Sequence, residues 1–478
     1  MWNNKREIVF IRNGLTGGGL GIMSALQANY FHEKGFDVTV IVDQSYNEKA
    51  LSSANAKMYN QGINIIFALT SDKYKTTTPQ VPRKATRKDW FGGKISEYYD
   101  EYGIMVKKTY HDSTGQRVKV EIPIMDNYLK SLKSGDIVTT FEASLIWHVG
   151  NLELPIGVST VAQIHNQHFY LSDWIDNMDN YTKLVCQTLK TKEAYEKLYG
   201  KKENIEVIPN PLRHTIPNEI TPHKKRPLKI VSVGRLEEGK QIEHTIEVFS
   251  KIVREIPKAY LEIYGEGKDK EKLQRLVNEL GLKEKIFFKG HEKDLSKIFK
   301  DASLMIFPSK RESFGLVIIE AFSYGVPVIG YSTVFGVDDL IQDSINGYIV
   351  PQGDKELLYK KSMALLKDVE KREKFGKNGY EFSKSFTYDK VMKQWLDLML
   401  KISNINIKEL LYQYINRMEL PIQLVKEIIK KDMEIDELEK LIELLKKAKS
   451  KVVNGKAYIY SDELLEEYPF KLSDYEIK

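Results

Sequence analysis

The sequence predicts an α/β protein of two domains, each built on a doubly wound parallel sheet. The chain has 478 residues, 42% of them hydrophobic; this favours two domains of about 200 residues each plus a further segment, since one core rarely grows so large. Short apolar runs alternate with helical segments in both halves, as parallel sheets require. The stretch 210–227 contains four prolines and predicts a linker, because proline fits neither a helix interior nor a central strand.

The N-terminal domain is predicted to span residues 1–209. It opens with the strand EIVFI, a glycine-rich turn over 16–21, a helix and the strand FDVTVIVD. The runs INIIFAL, DIVTTF, STVAQIH, KLVCQT and IEVIPN continue the alternation. Residues 89–122 interrupt it, and their tyrosines, glycines and alternating pattern predict an inserted β-hairpin with a turn near 112–115.

The second domain is predicted over residues 228–402. Its strands are LKIVSV, AYLEIYG, IFFKG, LMIFPS and VPVIGY, and a crossing helix precedes Ile402. The charged sequence VKEIIKKDMEIDELEKLIELLKKAKS follows within residues 403–478. We expect a helical extension there that serves packing or assembly into a homo-oligomer rather than chemistry.

Composition narrows the class of protein. Lysine and arginine number 72 against 66 acidic residues, a net charge of +6 spread along the chain, which favours anionic ligands slightly and does not indicate nucleic acid. The single cysteine, Cys186, lies in the apolar run KLVC, so we expect a small core residue and no disulfide or thiolate metal site. The first apolar run is too short for a signal peptide and no run reaches the roughly 20 residues of a membrane span. These features predict a cytoplasmic protein with at most peripheral membrane contact.

Two cations follow the first strand of the second domain, in the motif G-R-L-x-x-x-K. Arg235 comes directly after the strand and Lys240 begins a helical pattern. Five residues apart, they can face one anion: a guanidinium gives paired hydrogen bonds and a lysine gives a mobile point charge. A diphosphate beyond the strand ends would suit both. Two unrelated surface cations are the alternative interpretation.

A second motif is PSKRESFGLVIIEAFSYGVPVI, from Pro308 to Ile329. It predicts a strand, a loop with Glu312, a helix opened by residues 313–315 and another strand. The first N–H groups of a helix lack partners within the helix and attract phosphate. Glu320 lies eight residues after Glu312, on a similar side if the span is helical, and could reach a ribose diol. Two glutamates at this spacing also occur by chance, but the SFG turn between them makes the motif specific.

Together these motifs resemble those of the retaining GT-B glycosyltransferases of family 4, over about Glu7 to Ile402. That resemblance implies two Rossmann-like domains that face a cleft. The inserted hairpin and the phrase QIHNQHF are similar, more narrowly, to the teichoic-acid and serine-rich-adhesin glycosyltransferases of Gram-positive bacteria.

The resemblance implies a role for each matching residue of the second domain. Arg235 and Lys240 would neutralise the diphosphate of a nucleotide-sugar donor and take part in catalysis. Glu320 would bind the ribose hydroxyls, and Glu312 would hold a hydroxyl of the transferred sugar. Other donor contacts would come from the amides at the helix start and from the main chain beside the base: Ser313, Phe314, Gly315, Leu316, Gly290 and His291.

In the first domain, the resemblance implies that Gly17 and Gly18 let the backbone approach the β-phosphate, since side chains would block it. His165 would touch the sugar near the reacting carbon. An ordinary turn is the alternative for the glycines, and their departure from G-x-G-x-x-G argues against NAD binding. His165 and His168 could be metal ligands, but no cysteine or acidic partner sits at ligand spacing and the chain has no D-x-D. We therefore expect no metal and no other cofactor.

The function implied is retaining transfer of a hexose or N-acetylhexosamine, from UDP-glucose or UDP-N-acetylglucosamine, to a cell-surface polymer such as wall teichoic acid in α linkage. A serine-rich protein or a capsular glycan is an alternative acceptor. Two other classes remain open from the sequence: a nucleotide-sugar epimerase on the same fold, and a non-catalytic partner subunit.

Overall fold

The structure is a computed structural model that describes residues 6–12, 19–34, 36–43, 58, 63–68, 83–88, 93–99, 105–114, 117–141, 143–164, 179–200, 203–333, 335–403, 449–453 and 456–460. Its strands are, in chain order, β1 Glu7–Arg12, β2 Asp37–Val42, β3 Asn64–Phe67, β4 Arg83–Lys88, β5 Lys94–Tyr99, β6 Met105–His111, β7 Arg117–Glu121, β8 Ile137–Thr140, β9 Ser159–Ile164, β10 Lys183–Cys186, β11 Ile205–Val207, β12 Lys229–Val233, β13 Tyr260–Tyr264, β14 Ile286–Gly290, β15 Ala302–Phe307, β16 Val328–Tyr331, β17 Gly347–Val350, β18 Lys449–Val453 and β19 Lys456–Tyr460. Its α-helices are α1 Gly19–Glu33, α2 Pro123–Lys130, α3 Ala143–Gly150, α4 Leu189–Tyr199, α5 Ile242–Glu255, α6 Lys270–Glu279, α7 Leu295–Phe299, α8 Leu316–Ser323, α9 Val337–Leu340, α10 Lys355–Lys367, α11 Val369–Ser383 and α12 Tyr388–Ser403.

The N-terminal half contains a parallel sheet in the order β11-β10-β9-β8-β1-β2-β3. Alternate residues of β1 belong to different cores: Phe10 packs in one cluster and Val9 in another. A strand sends successive side chains to opposite faces, so the sheet is buried on both sides, as parallel sheets are. Of the turn predicted over 16–21, residues 19–21 belong to α1, which begins at Gly19, and residues 16–18 lie outside the described residues.

The inserted segment is larger than the predicted hairpin. Four strands within residues 83–121 form an antiparallel sheet in the order β4-β5-β6-β7. The turn predicted near 112–115 lies between β6 and β7, as expected. The prediction began too late because β4 reads RKATRK, which has no apolar alternation to mark it as a strand.

The second half contains a parallel sheet in the order β14-β13-β12-β15-β16-β17. All six residues of β15 are buried, in agreement with a central strand covered on both faces. Strand β17 was not predicted. It pairs with β16 at one edge of the sheet and has only four residues, which is too short for a clear period in the sequence.

Two segments connect the halves. Helix α12 packs against the N-terminal core, where Trp395 and Met399 join the cluster of Phe10. The linker packs against the second domain: Leu212 is buried in its core, and the Leu212 amide donates to the Phe386 carbonyl at 2.7 Å. The chain therefore passes twice between the domains, before β12 and at α12.

One contact shows how the sheets face each other. Helix α4 follows β10 and helix α9 follows β16, so both lie beyond the carboxyl ends of parallel strands. The backbone N–H of Lys190 in α4 donates to Oδ2 of Asp339 in α9 at 2.8 Å. The carboxyl edges of both sheets thus lie toward one boundary between the domains, where open α/β sheets bind ligands.

The structure corrects the predicted helical extension at two places. Residues Lys449–Val453 and Lys456–Tyr460 pair as antiparallel strands. The signal in the sequence was the dipeptide Asn454-Gly455 between two runs rich in valine, isoleucine and tyrosine, which is typical of a hairpin. The remainder of 404–478 lies outside the described residues. Within the described part of the chain, no helix combines the length and apolarity that crossing a membrane requires.

Cys186 is expected to be chemically inert in the native protein. It ends β10, is fully buried, and burial raises the pKa of its thiol to about 12. Because the thiolate is the reactive form, native protein should leave Ellman's reagent unreacted, and protein in guanidinium chloride should release one equivalent of thionitrobenzoate. Rapid reaction of the native protein would contradict the buried position.

Candidate active site

Two loops meet at the carboxyl edge of the second sheet. One follows β12 and contains Gly239; the other follows β15 and contains Lys310. The Lys310 amide donates to the Gly239 carbonyl at 2.9 Å. This backbone hydrogen bond holds together the two sequence motifs that were predicted to act on one ligand, although 71 residues of sequence separate its ends.

An ion pair joins the motifs through their side chains. Lys240 Nζ bonds to Glu312 Oε1, and the hydroxyl of Ser309 donates to the same carboxylate oxygen at 2.8 Å. The side chains of Lys240 and Glu312 are 20% and 14% exposed, so solvent screens this pair less than a surface pair. The ring of Phe307 lies with its centre 6.0 Å from Nζ. A positive charge is thus fixed in direction at the strand ends.

The helix start lies three residues later than predicted. Gly315 has φ +88° and lies in the left-handed region, so α8 begins at Leu316. Phe314 is buried against Phe386 instead of opening the helix. The N-cap residue Gly315 has no side chain with which to cap α8. The Ile318 amide donates back to the Gly315 carbonyl at 2.8 Å, and the N–H groups before it have no partner within the helix. The amides that the prediction assigned to phosphate binding therefore lie at the N-terminal end of an eight-residue helix, with its positive dipole end.

Arg235 lies in the same turn as Lys240 but has a different partner. Its guanidinium pairs with Glu237 at 3.1 Å and its side chain is 73% exposed. The backbone of Gly234 lies beside the aliphatic part of the Lys240 side chain, since a Cβ at Gly234 would lie 3.8 Å from its carbon atoms. A pairing with Glu237 at this exposure is weak, so Arg235 is free to turn toward an anion, and its role in donor binding stays a prediction.

Glu320 is the most buried acid of the motif. Its side chain is 4% exposed and pairs with Arg213 of the linker at 2.7 Å. His214 adjoins the pair: its Nε2 lies 2.9 Å from the hydroxyl of Ser323, which donates to the Glu320 carbonyl at 2.7 Å. Burial lowers the pKa of His214, so this ring is neutral near pH 7. Arg213 was not predicted, because 107 residues separate it from its partner and no local pattern links them.

Gly290 ends β14 with φ +71°, and its carbonyl accepts a hydrogen bond from the Gly265 amide at 2.8 Å. His291 follows it and is exposed. Gly265, at the end of β13, lies against the Gly234 carbonyl, which a Cβ would approach to 1.9 Å. The carboxyl edge of the sheet is therefore built from glycine backbone at three adjacent strands. Gly234 and Gly290 belong to the predicted segments, whereas Gly265 was not predicted.

Gly265→Ala is expected to destabilise the second domain, because its Cβ would meet the backbone of Gly234 and the φ of +137° is strained for alanine. A loss of several degrees in Tm follows from a cost of about 1–3 kcal/mol. Gly239→Ala is the matched control, since a Cβ at Gly239 meets nothing within 4 Å. Equal Tm values for the two variants, measured by calorimetry, would contradict the close approach.

The predicted residues of the first domain, Gly17, Gly18 and His165, lie outside the described residues, as does His168. Their roles stay predictions. Within the described ranges, no group of three or more histidine, cysteine or acidic residues could hold a metal ion.

A family model covers the part of the chain that carries this site. Residues 216–382 match the family described as Glycosyl transferases group 1, and both ion-paired glutamates, Glu312 and Glu320, lie within the match. The chain therefore carries a group 1 glycosyltransferase domain. A poly(glycerol-phosphate) alpha-glucosyltransferase of Bacillus subtilis (strain 168) is 27% identical over 256 residues, which cover 52% of this chain and 38% of that protein. The match thus spans well under half the length of that relative.

Solved structures share the fold. A crystal structure of a variant of S. aureus TarM in complex with Fondaparinux, alpha-GlcNAc-glycerol and UDP matches with a TM-score of 0.59 and 17% identity, over 82% of this chain and 99% of that chain. The pneumococcal O-GlcNAc transferase GtfA in complex with UDP and GlcNAc matches with a TM-score of 0.58 and 15% identity, over 84% and 100%. The predicted GT-B fold is confirmed, and the chain is related to glycosyltransferases of the teichoic-acid and GtfA kinds.

Proposed function

We propose that this chain is a UDP-sugar-dependent, retaining glycosyltransferase that moves a hexose or N-acetylhexosamine onto a cell-surface polymer such as wall teichoic acid, in α linkage. The observation that carries the proposal is the Lys240–Glu312 ion pair in the loop that leads into the N-terminus of α8. A fixed cation and a helix N-terminus on one sheet edge are what a leaving diphosphate requires.

The reaction develops negative charge on the diphosphate as the bond to the sugar breaks. A lysine ammonium has three N–H donors, so Lys240 can keep its bond to Glu312 and donate to a phosphate oxygen. The N–H groups at the start of α8 and the guanidinium of Arg235 add to that stabilisation. Because these groups supply the positive charge, we propose that no metal ion is needed.

Glu312 has a second part in the proposal. One of its oxygens already accepts from Lys240 and from Ser309, and a carboxylate has capacity for further donors. The remaining oxygen can accept a hydroxyl of the transferred sugar, which holds the ring beside the phosphates. Glu320, in the second turn of α8, is proposed to accept the ribose hydroxyls.

For the stereochemistry, we propose front-face transfer in which the donor phosphate helps to deprotonate the acceptor hydroxyl. The anomeric carbon then acquires oxocarbenium character without a covalent enzyme intermediate, and the α configuration is retained. Anomeric couplings of the product in NMR spectra test this. A β product would overturn the retaining mechanism.

For the donor and acceptor, support comes from the proteins this chain is similar to. The Bacillus subtilis relative is a poly(glycerol-phosphate) alpha-glucosyltransferase, and the TarM variant and pneumococcal GtfA were solved with UDP. UDP-glucose and UDP-N-acetylglucosamine are therefore the proposed donors, with a polyol-phosphate polymer ahead of a serine-rich protein as acceptor.

The proposal is tested by UDP release from each donor, with and without poly(glycerol phosphate), poly(ribitol phosphate) or a serine-rich peptide. We expect acceptor-dependent release and a glycosylated polymer. An altered sugar nucleotide without any acceptor would indicate an epimerase instead. No release with any pair, from protein that binds UDP, would indicate a non-catalytic subunit.

A further inference from the structure

A cavity of about 440 Å³ lies between the inserted sheet and the first domain. We call it the insert cavity; its walls include three lysines, one carboxylate, a threonine and a histidine, namely Lys84, Lys94, Lys107, Asp43, Thr109 and His111. Its volume is that of a small-molecule site. None of these residues belongs to the site of Lys240 and Glu312.

The polar lining follows from the register of the inserted sheet. Strands β5 and β6 pair so that Lys94 faces His111, Ser96 faces Thr109 and Tyr98 faces Lys107. These positions alternate along each strand and therefore share one face. The neighbouring residue Lys108 lies on the other face, where it pairs with Glu97 at 3.2 Å. The sheet thus turns a cationic, hydroxyl-bearing face toward the body of the domain, where an apolar face would be expected.

Several buried polar atoms around the insert cavity lack partners. Among the described residues, Oδ1 of Asp43, Oγ1 of Thr109 and Nδ1 of His111 are buried without a hydrogen bond. The Thr109 residue is 6% exposed, and the Asp43 side chain is 7% exposed. An unpaired buried polar group costs about 1–3 kcal/mol, and three around one cavity indicate that a ligand or ordered solvent completes them.

The charges and the unpaired atoms define the chemistry of a ligand. Lys107 pairs with Asp43 at 2.9 Å, whereas Lys84 and Lys94 have no carboxylate partner in the part of the chain that the structure describes. Two uncompensated ammonium groups favour an anion, and phosphate matches several point donors. The free oxygen of Asp43 requires a donor such as a ligand hydroxyl. The Nζ of Lys84 lies over the ring of Tyr98, 5.5 Å from its centre. That face of the ring is therefore occupied and cannot stack on a nucleobase.

The insert cavity lies at the edge of the first domain that faces the candidate active site of the second domain. Asp43 directly follows the carboxyl end of β2, and its amide donates to the Arg12 carbonyl at the end of β1 at 2.8 Å. Helix α3, which contributes His148 to the wall, follows the carboxyl end of β8. This is the edge that the Lys190–Asp339 contact turns toward the second domain.

We propose that the insert cavity binds a phosphorylated polyol. The lysines hold the phosphate, and Asp43, Thr109 and His111 bond to the polyol hydroxyls. Its role, which rests on the proposed function, is to hold one repeat of the acceptor polymer away from the hydroxyl that receives the sugar.

Titration calorimetry on the full chain tests the binding. The probes are sn-glycerol 3-phosphate, inorganic phosphate and glycerol. We expect sn-glycerol 3-phosphate to bind best, and Lys94→Ala to weaken it about tenfold or more. Thr109→Val should weaken it several-fold, and Lys108→Ala, on the opposite face, should leave it unchanged. Absence of binding, or equal binding to the wild type and Lys94→Ala, would overturn the site. Inorganic phosphate binding as tightly as the ester would overturn the recognition of a polyol.

Kinetics separates this proposal from the proposed function. With poly(glycerol phosphate) as acceptor, Lys94→Ala should raise the acceptor KM and leave the donor KM unchanged. Transfer with an unchanged acceptor KM would reject the acceptor role of the cavity while the glycosyltransferase stands. A third outcome is that the wild type binds the ester, Lys94→Ala does not, and neither protein transfers sugar. That outcome would support the binding site and reject the proposed function.

Discussion

Lys240→Ala is expected to lower kcat for sugar transfer by about a hundred- to a thousandfold, the usual effect of removing one preorganised donor to a developing charge. The side chain is largely buried and held in direction by Glu312, as a preorganised donor requires. Since the diphosphate gains charge mainly in the transition state, kcat should fall more than the donor KM rises. Steady-state kinetics measures kcat and the donor KM, with whichever UDP-sugar supports transfer in the UDP-release assay.

Lys251→Ala is the matched control for Lys240→Ala. Lys251 lies in α5 of the same domain and makes an exposed pair with Glu356 at 2.8 Å, which contributes little. Kinetic constants of this variant should equal those of the wild type. A Lys240→Ala enzyme that retains more than about a tenth of wild-type kcat, with an unchanged Tm, would remove the lysine from the mechanism.

Glu320→Gln is expected to raise the KM for the UDP-sugar by about ten- to a hundredfold, because hydrogen bonds to a charged group contribute about 1.5–3 kcal/mol. Glutamine keeps the shape of the side chain but loses the charge that Arg213 balances. A purely structural ion pair would give lower stability without any change in nucleotide selectivity. UDP and 2′,3′-dideoxyuridine diphosphate, titrated by calorimetry, distinguish the two roles.

The wild type should bind UDP more tightly than its dideoxy analogue, and Glu320→Gln should bind both alike. Glu356→Gln, at an exposed surface pair, should keep the wild-type preference. If the wild type shows no preference for the ribose diol, or Glu320→Gln keeps it in full, Glu320 holds Arg213 and not the nucleotide.

The parallel sheets could be predicted because buried strands appear in the sequence as short, continuous runs of apolar residues. The runs EIVFI and LMIFPS became β1 and β15, strands with few or no exposed residues. Helix and strand alternation then fixes the sheet type, since a crossover helix requires parallel neighbours. The resemblance places Lys240 and Glu312 on different groups of one donor; the structure joins their side chains in an ion pair, and their roles stay predictions.

Other features depend on contacts that no local pattern records. Arg213 reaches Glu320 only because the linker folds along the second domain. Strand β4 is polar on both faces, and its pairing with β5 rather than its own sequence makes it a strand. The insert cavity arises from lysines and hydroxyls that alternate in register across β5 and β6. Each strand alone reads as an ordinary exposed, charged segment.

The measurement that tests the central claim most directly compares the affinities of UDP and uridine in two proteins by calorimetry. If Arg235, Lys240 and the start of α8 hold the diphosphate, the wild type should bind UDP at least about a hundredfold more tightly than uridine. The Arg235→Ala, Lys240→Ala double variant should lose most of that ratio while its uridine affinity stays the same. An undiminished ratio in the double variant would show that the diphosphate is bound elsewhere.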